Sequence, residues 1–177
     1  RIGAAFENAA SSIQVPLARP NQAGRMAFDP IVRRVREVAD DYERISQPSL
    51  RYDLPRKIAD DLQELATRAS NMDGKTYLRW RSELGAAARG SQDSASRAAL
   101  YDIQRALDTS AESFLRRSKF PEMAARADQL RNARREYRNM MAIEKAALGA
   151  GEGASLGLFS PQQLAQAVKT AHGSRNY

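Results

Sequence analysis

Arg131, Arg134, Arg135 and Arg138 stand at i, i+3, i+4 and i+7, a spacing that sets four guanidinium groups on one face of a helix. A row of this kind binds phosphate by releasing counterions. Its attraction is salt-sensitive and reads no base edge. Arg116, Arg117 and Lys119 lie just upstream, and the window 116–138 holds eight basic residues against Glu122, Asp128 and Glu136. Together these seven cations are the candidate surface for nucleic acid or for a protein partner. Two features temper the phosphate reading: Arg134 leans toward the apolar side of its helix, and Asp128 and Glu136 neutralise neighbours. Arginine outnumbers lysine 23 to 5 throughout, so part of the cluster reflects general usage.

Other groups with chemical potential are sparse. One histidine, His172, sits beside Gly173 near the C-terminal end, which excludes paired-histidine metal motifs and leaves any Ser-His-Asp arrangement resting on a terminal residue. Asp40-Asp41 and Asp60-Asp61 are adjacent acids, but neighbours on a helix diverge by about 100° and both pairs fall on polar faces. Gly149-Ala150-Gly151-Glu152-Gly153 follows a helix rather than a strand and lacks an attached Gly-Lys-Ser/Thr, so it is not a nucleotide cradle. The absence of cysteine excludes disulfides, thiolate metal sites and cysteine nucleophiles from these residues. No catalytic, cofactor or metal-ligating residue is therefore assigned.

The elements that would carry these side chains read as helices. With 42% hydrophobic but only 7% aromatic residues, the core must be built of Ala, Leu, Ile and Val, with Met filling gaps. Residues 1–28, with Pro16 and Pro20, read as an extended arm that opens with a short helix over 2–10; no strand pattern is assigned. Asp29-Pro30 caps a first main helix with Ile31, Val35, Val38, Tyr42 and Ile45 inward, ending before Pro48. Its outer face offers Arg33–Glu37, Arg36–Asp40 and Asp40–Arg44 as i,i+4 pairs. A second helix starts near Pro55 and carries Ile58, Leu62, Leu65, Ala69 and Met72, closed by the turn 71–74.

Asp73 is placed to cap a third helix, with Tyr77, Trp80 or Arg81, Leu84 and Ala88 inward and Gly90 as a left-handed stop. Tyr77, Trp80, Leu84 and, later, Tyr137 are the candidate packing anchors, Trp80 being either a core anchor or an exposed hot spot. Ser91 is the expected cap of a fourth helix through Leu100, Ile103, Leu107, Ala111 and Phe114. Pro121 opens the fifth, with Met123, Ala127, Leu130, Ala133, Tyr137, Met140 and Met141 inward. The Gly-rich stretch 149–159 reads as a loop, and Ser160-Pro161-Gln162-Gln163 as a capping box for a short last helix carrying Leu164, Val168 and Ala171. The expectation is all-α: an antiparallel bundle of about five amphipathic helices over 29–148, then the loop, then a short helix and tail over 160–177.

At 177 residues the chain is long enough for one core, and no apolar stretch is long enough to cross a bilayer. It opens at Arg1 rather than Met and is read as a fragment of a larger protein. A net charge of +7 makes an acidic partner plausible without requiring one.

Several phrases, taken in order, resemble helical modules of large tailed-bacteriophage virion proteins. They are the stretch Gly74-Lys75-Thr76-Tyr77-Leu78-Arg79-Trp80-Arg81-Ser82-Glu83-Leu84, then 99–108, 133–139 and Phe159-Ser160-Pro161-Gln162-Gln163-Leu164. The resemblance spans residues 30–177 and implies a non-enzymatic structural or DNA-ejection-type module. Its partners would be other virion proteins or copies of itself, and its location the virion, after assembly in the host cytoplasm. Two alternatives are carried beside it: a nucleic-acid-binding helical protein using the Arg131 to Arg138 face, and a fragment of a cell-wall-active enzyme, for which Glu83 is the candidate acid.

Overall fold

The computed structural model describes residues 2–11, 13–20, 26–46, 53–148 and 160–172, and they are all-α apart from two small sheets. In chain order the elements are α1 (Ile2–Ala10), β1 (Gln14–Pro16), β2 (Ala18–Pro20), β3 (Met26–Phe28), α2 (Pro30–Ile45), α3 (Leu54–Arg68), β4 (Asn71–Asp73), α4 (Gly74–Gly90), α5 (Ser94–Arg117), α6 (Pro121–Leu148) and α7 (Pro161–His172). They divide into two compact units, Glu7–Asp128 and the pair Arg1–Phe6 with Gln129–Tyr177. The expected loop over 149–159 and the tail beyond 172 lie outside the described residues.

Within Glu7–Asp128, α5 is the spine. Ala99, Leu100, Ile103, Leu107, Ala111 and Leu115 recur every three or four residues and are buried, so one stripe of the helix faces the core. The neighbours α2, α3, α4 and β1 all pack on it. Helices α4 and α5 run antiparallel: Tyr77 meets Asp108 through a 2.7 Å hydrogen bond, while Gly85 further along α4 abuts Gln104 further back on α5. The side chain of Gln104 donates to the Arg81 carbonyl at 2.9 Å, and Arg81 Nε donates to Asp108 at 3.1 Å, so the seam between the two helices carries a satisfied polar line beside its apolar one. Trp80 is buried with Tyr77 and Leu84, which makes all three core anchors.

The arm is not simply extended. Ile13, Val15 and Leu17 are buried while Gln14 is exposed, the alternation of a strand with one face inward. β1 pairs antiparallel with β4, placing Val15 opposite Met72, and β2 pairs with β3. The residues read as a turn, 71–74, are therefore a strand followed by the first residue of α4, and Met72 is buried from that strand rather than from a helix. Two prolines hid the pattern, yet proline is tolerated in a two-stranded ladder, where one edge of each strand needs no partner. Ser70, left-handed at φ 57, ends the α3 segment and presents its carbonyl to the amides of Leu17 at 2.7 Å and Ala18 at 3.2 Å.

Helix ends follow side-chain capping closely. The Asp29 carboxylate accepts from Ile31 N at 3.3 Å and that of Asp73 from Thr76 N at 2.8 Å. Ser160 and Gln163 form the reciprocal box, Gln163 N donating to Ser160 Oγ at 3.2 Å and Ser160 N to Gln163 Oε1 at 2.7 Å. The expected cap at Ser91 is displaced: Asp93 accepts from Ala95 N and Ser96 N, because a carboxylate two residues on reaches both amides, and extended Ser91 instead ends α4. Gly90 consequently has no left-handed role.

Several inward assignments differ in the structure. Ile45 is 70% exposed at the end of α2, Ala66 is buried where Leu65 is only partly so, Ala69 is exposed, and Leu115 rather than Phe114 faces the core. At Leu65 and Phe114 the true stripe drifts with the 3.6-residue turn while the assignment held a stricter repeat, whereas Ile45 is the last residue of α2 and Ala69 lies just past α3. In the unit containing Gln129–Tyr177, the buried positions are Leu130, Ala133, Arg134, Ala142, Ala146 and Ala167. Met140 and Ile143 are exposed, Tyr137 and Met141 half-buried: small alanines take the inward positions and long side chains border them.

Candidate binding groove

One face of α5 lies about 100° round the helix from its buried stripe and, among the described residues of Glu7–Asp128, borders an open groove. Asp102, Arg105, Ala106, Thr109, Ser110, Ser113, Phe114 and Arg117 line it, and opposite stand Pro16 and Arg19 from the β1–β2 segment with Asp29, Pro30, Ile31 and Arg34 at the start of α2. The result is an open groove of about 710 Å³. Its volume falls in the range of pockets that hold ligands or side-chain clusters of a partner.

The lining has a definite order. Pro16, Pro30, Ile31, Ala106 and Phe114 supply apolar surface, Thr109, Ser110, Ser113 and Ser118 supply hydroxyls, and four arginines stand against two aspartates. Asp29 is committed locally, capping α2 and pairing with Arg19 at 3.4 Å. Asp102 pairs with Arg105 at 3.4 Å, and Arg34 with Glu37 at 3.4 Å, both between well-exposed partners where such contacts are weak. Arg117 has no ion pair among the described residues. An anionic group entering the groove would thus meet arginine without first displacing a strong carboxylate contact.

The basic residues assigned from sequence separate. Arg116 is tied to Glu112 at 3.4 Å and to Asp128 at 2.9 Å, so it braces the end of α5 against the start of α6. Arg117, its neighbour, opens onto the groove, and Lys119 is exposed. Arg131, Arg135 and Arg138 are exposed on α6, but Arg134 is only 7% exposed, so the row of four is a row of three with one guanidinium turned inward. Its i+3 position falls next to Leu130 and Ala133 on the buried side. The acids at 40–41 and 60–61 carry ion pairs: Asp40 with Arg56 at 3.0 Å, Asp41 with Arg44 at 2.6 Å, Asp60 with Arg36 at 2.9 Å and Asp61 with Lys57 at 2.7 Å. Glu83 is exposed, and no group of three or more potential metal ligands occurs among the described residues. The side chain of His172 lies outside the described residues.

Arg19, Arg34, Arg105 and the hydroxyls were missed as site residues because they come from three separate segments. The trace they leave in sequence is a second period on α5, Asp102, Ala106, Thr109, Ser113 and Arg117, of small and polar residues beside the apolar stripe. Small residues there leave the volume unfilled. Comparison with known protein families, with curated proteins and with solved structures finds no match.

Proposed function

We propose that this chain is a non-enzymatic interaction module, of the kind found in tailed-bacteriophage virion proteins, and that it works by holding a segment of a partner protein in the α5 groove. The observation that carries this reading is the groove itself, lined by apolar side chains, hydroxyls and four arginines, the composition of a protein-binding surface. The partner would be another particle protein or a second copy of the chain. Affinity capture from particles whose genome encodes the chain, with mass spectrometry of what is retained, tests it. Wild type should retain particle proteins and Ala106→Trp, which fills the groove, should lose them. Equal retention by both overturns the reading.

A second reading, nucleic-acid binding, is favoured by Arg131, Arg135 and Arg138, all exposed on α6. A DNA titration at two salt concentrations should then give affinity that falls with salt and falls again in the Arg131→Ala/Arg135→Ala/Arg138→Ala variant. Binding indifferent to both ends that reading.

A further inference from the structure

We infer that the groove selects an extended acidic peptide with an apolar residue at its centre; this rests on the groove being the working surface. Arg105 and Arg117 are twelve residues apart on α5, so their backbones stand about 18 Å apart along the helix axis. Between them, on the same wall, lie Ala106, Thr109, Ser110, Ser113 and Phe114. An extended chain advances about 3.3 Å per residue and alternates its side chains between two faces, so carboxylates six residues apart, about 20 Å, lie on one face and reach both arginines at once.

Alternate side chains between those carboxylates would face the Ala106 to Phe114 wall, where Phe114 offers apolar contact and the hydroxyls of Thr109 and Ser113 offer donors to peptide carbonyls, with Ile31 on the wall opposite. Arg19 and Arg34 supply cations on the opposite wall. Charge complementarity favours an acidic occupant, since four arginines face two aspartates and Asp29 is already engaged as a helix cap. The α5 wall favours a peptide over a phosphodiester strand, because a strand needs cations repeated along its length whereas Arg105 and Arg117 stand twelve residues apart with uncharged Ala106, Thr109, Ser113 and Phe114 between them.

The test uses the full 177-residue chain and a fluorescein-labelled octapeptide, Asp-Glu-Ser-Leu-Phe-Ser-Glu-Asp, followed by anisotropy and by amide shifts in labelled protein. The peptide should bind with shifts at Thr109, Ser110 and Ser113, and should weaken about tenfold or more when its acids become lysines or its Leu-Phe becomes Ser-Ser. Arg105→Glu/Arg117→Glu should weaken it similarly; Arg105→Gln/Arg117→Gln serves if circular dichroism finds the double reversal unfolded. Binding no tighter than that of the lysine peptide, or tighter groove-dependent binding of a labelled oligothymidylate, overturns the inference. If the peptide fails while Ala106→Trp still abolishes capture of particle proteins, the ligand class is wrong and the groove reading stands. If Ala106→Trp changes neither, both fall.

Discussion

Where α2 meets α3, arginines find a carboxylate at nearly every turn, whereas along the groove face of α5 they outnumber the acids around them. Arg56 reaches Glu43 with two 2.6 Å hydrogen bonds and Asp40 at 3.0 Å, and Arg36 reaches across to Asp60 and to Gln63. These contacts cross between helices, where sequence spacing had suggested pairs within α2. They register the two helices antiparallel, since Arg36 meets Asp60 and Gln63 while Glu43 meets the earlier Arg56. The Glu43 hydrogen bond, more than any other contact, holds the Arg56 guanidinium well above its ordinary range, and the bond to Asp61 raises Lys57. In the groove Arg19, Arg34 and Arg105 each keep a single pair at 3.4 Å, and Arg117 has none among the described residues. A high arginine content is thus two populations, one that sets helix register and one that lines the groove in single, longer pairs or none.

Both faces rest on α5, so removing its core should produce the largest effect. Leu107→Ala, at a fully buried position, should cost about 2–5 kcal/mol in urea or thermal unfolding. A loss below 1 kcal/mol would mean the two faces do not share a support. Gly74→Ala comes next: a Cβ there would lie 1.9 Å from the Ala10 carbonyl oxygen, so α1 must shift, at about 1–3 kcal/mol, without touching either arginine population.

Asp73→Ala should cost about 1 kcal/mol by uncapping α4. Hydrogen bonds from the Thr76 backbone and then its side chain hold the Asp73 carboxyl below the usual carboxylate range. Because the folded value is the lower one, the cap's contribution is present above the unfolded value and is lost as pH falls through the folded one. The stability difference between wild type and Asp73→Ala should therefore be constant near neutrality and close only on acidification below about pH 4. A difference that closes above pH 5 contradicts the assignment.

The smallest effects compare the arginine populations directly. Glu43→Gln should lose no more than about 1 kcal/mol, shrinking as salt is added, since the pair is partly exposed. Arg117→Gln should leave the melting curve within about 0.5 kcal/mol while weakening partner binding. Equal destabilisation by the two substitutions would erase the distinction.

Much of the helical frame was legible in the residues. Asp29-Pro30, Asp73 and Ser160-Gln163 act as caps because capping is a contact between residues two or three apart. The burial of Tyr77, Trp80 and Leu84 followed from period. The strand pairing of 14–16 with 71–73 did not, since it joins segments more than fifty residues apart and each strand is too short to announce itself. Nor did the groove, which is a volume left between segments rather than a motif.

What the sequence determined alone is what local geometry enforces: helix type, most boundaries, most inward faces and the lack of a cysteine-based or paired-histidine site. Tertiary structure decided what distance along the chain conceals. It turned Arg134 inward and spent Arg116 on Asp128. It also set Arg19, Arg34, Arg105 and Arg117 around one groove. The physical reason is that hydrogen-bonded turns depend on neighbours, whereas the availability of a charge depends on which opposite charge folding brings within about 4 Å of it.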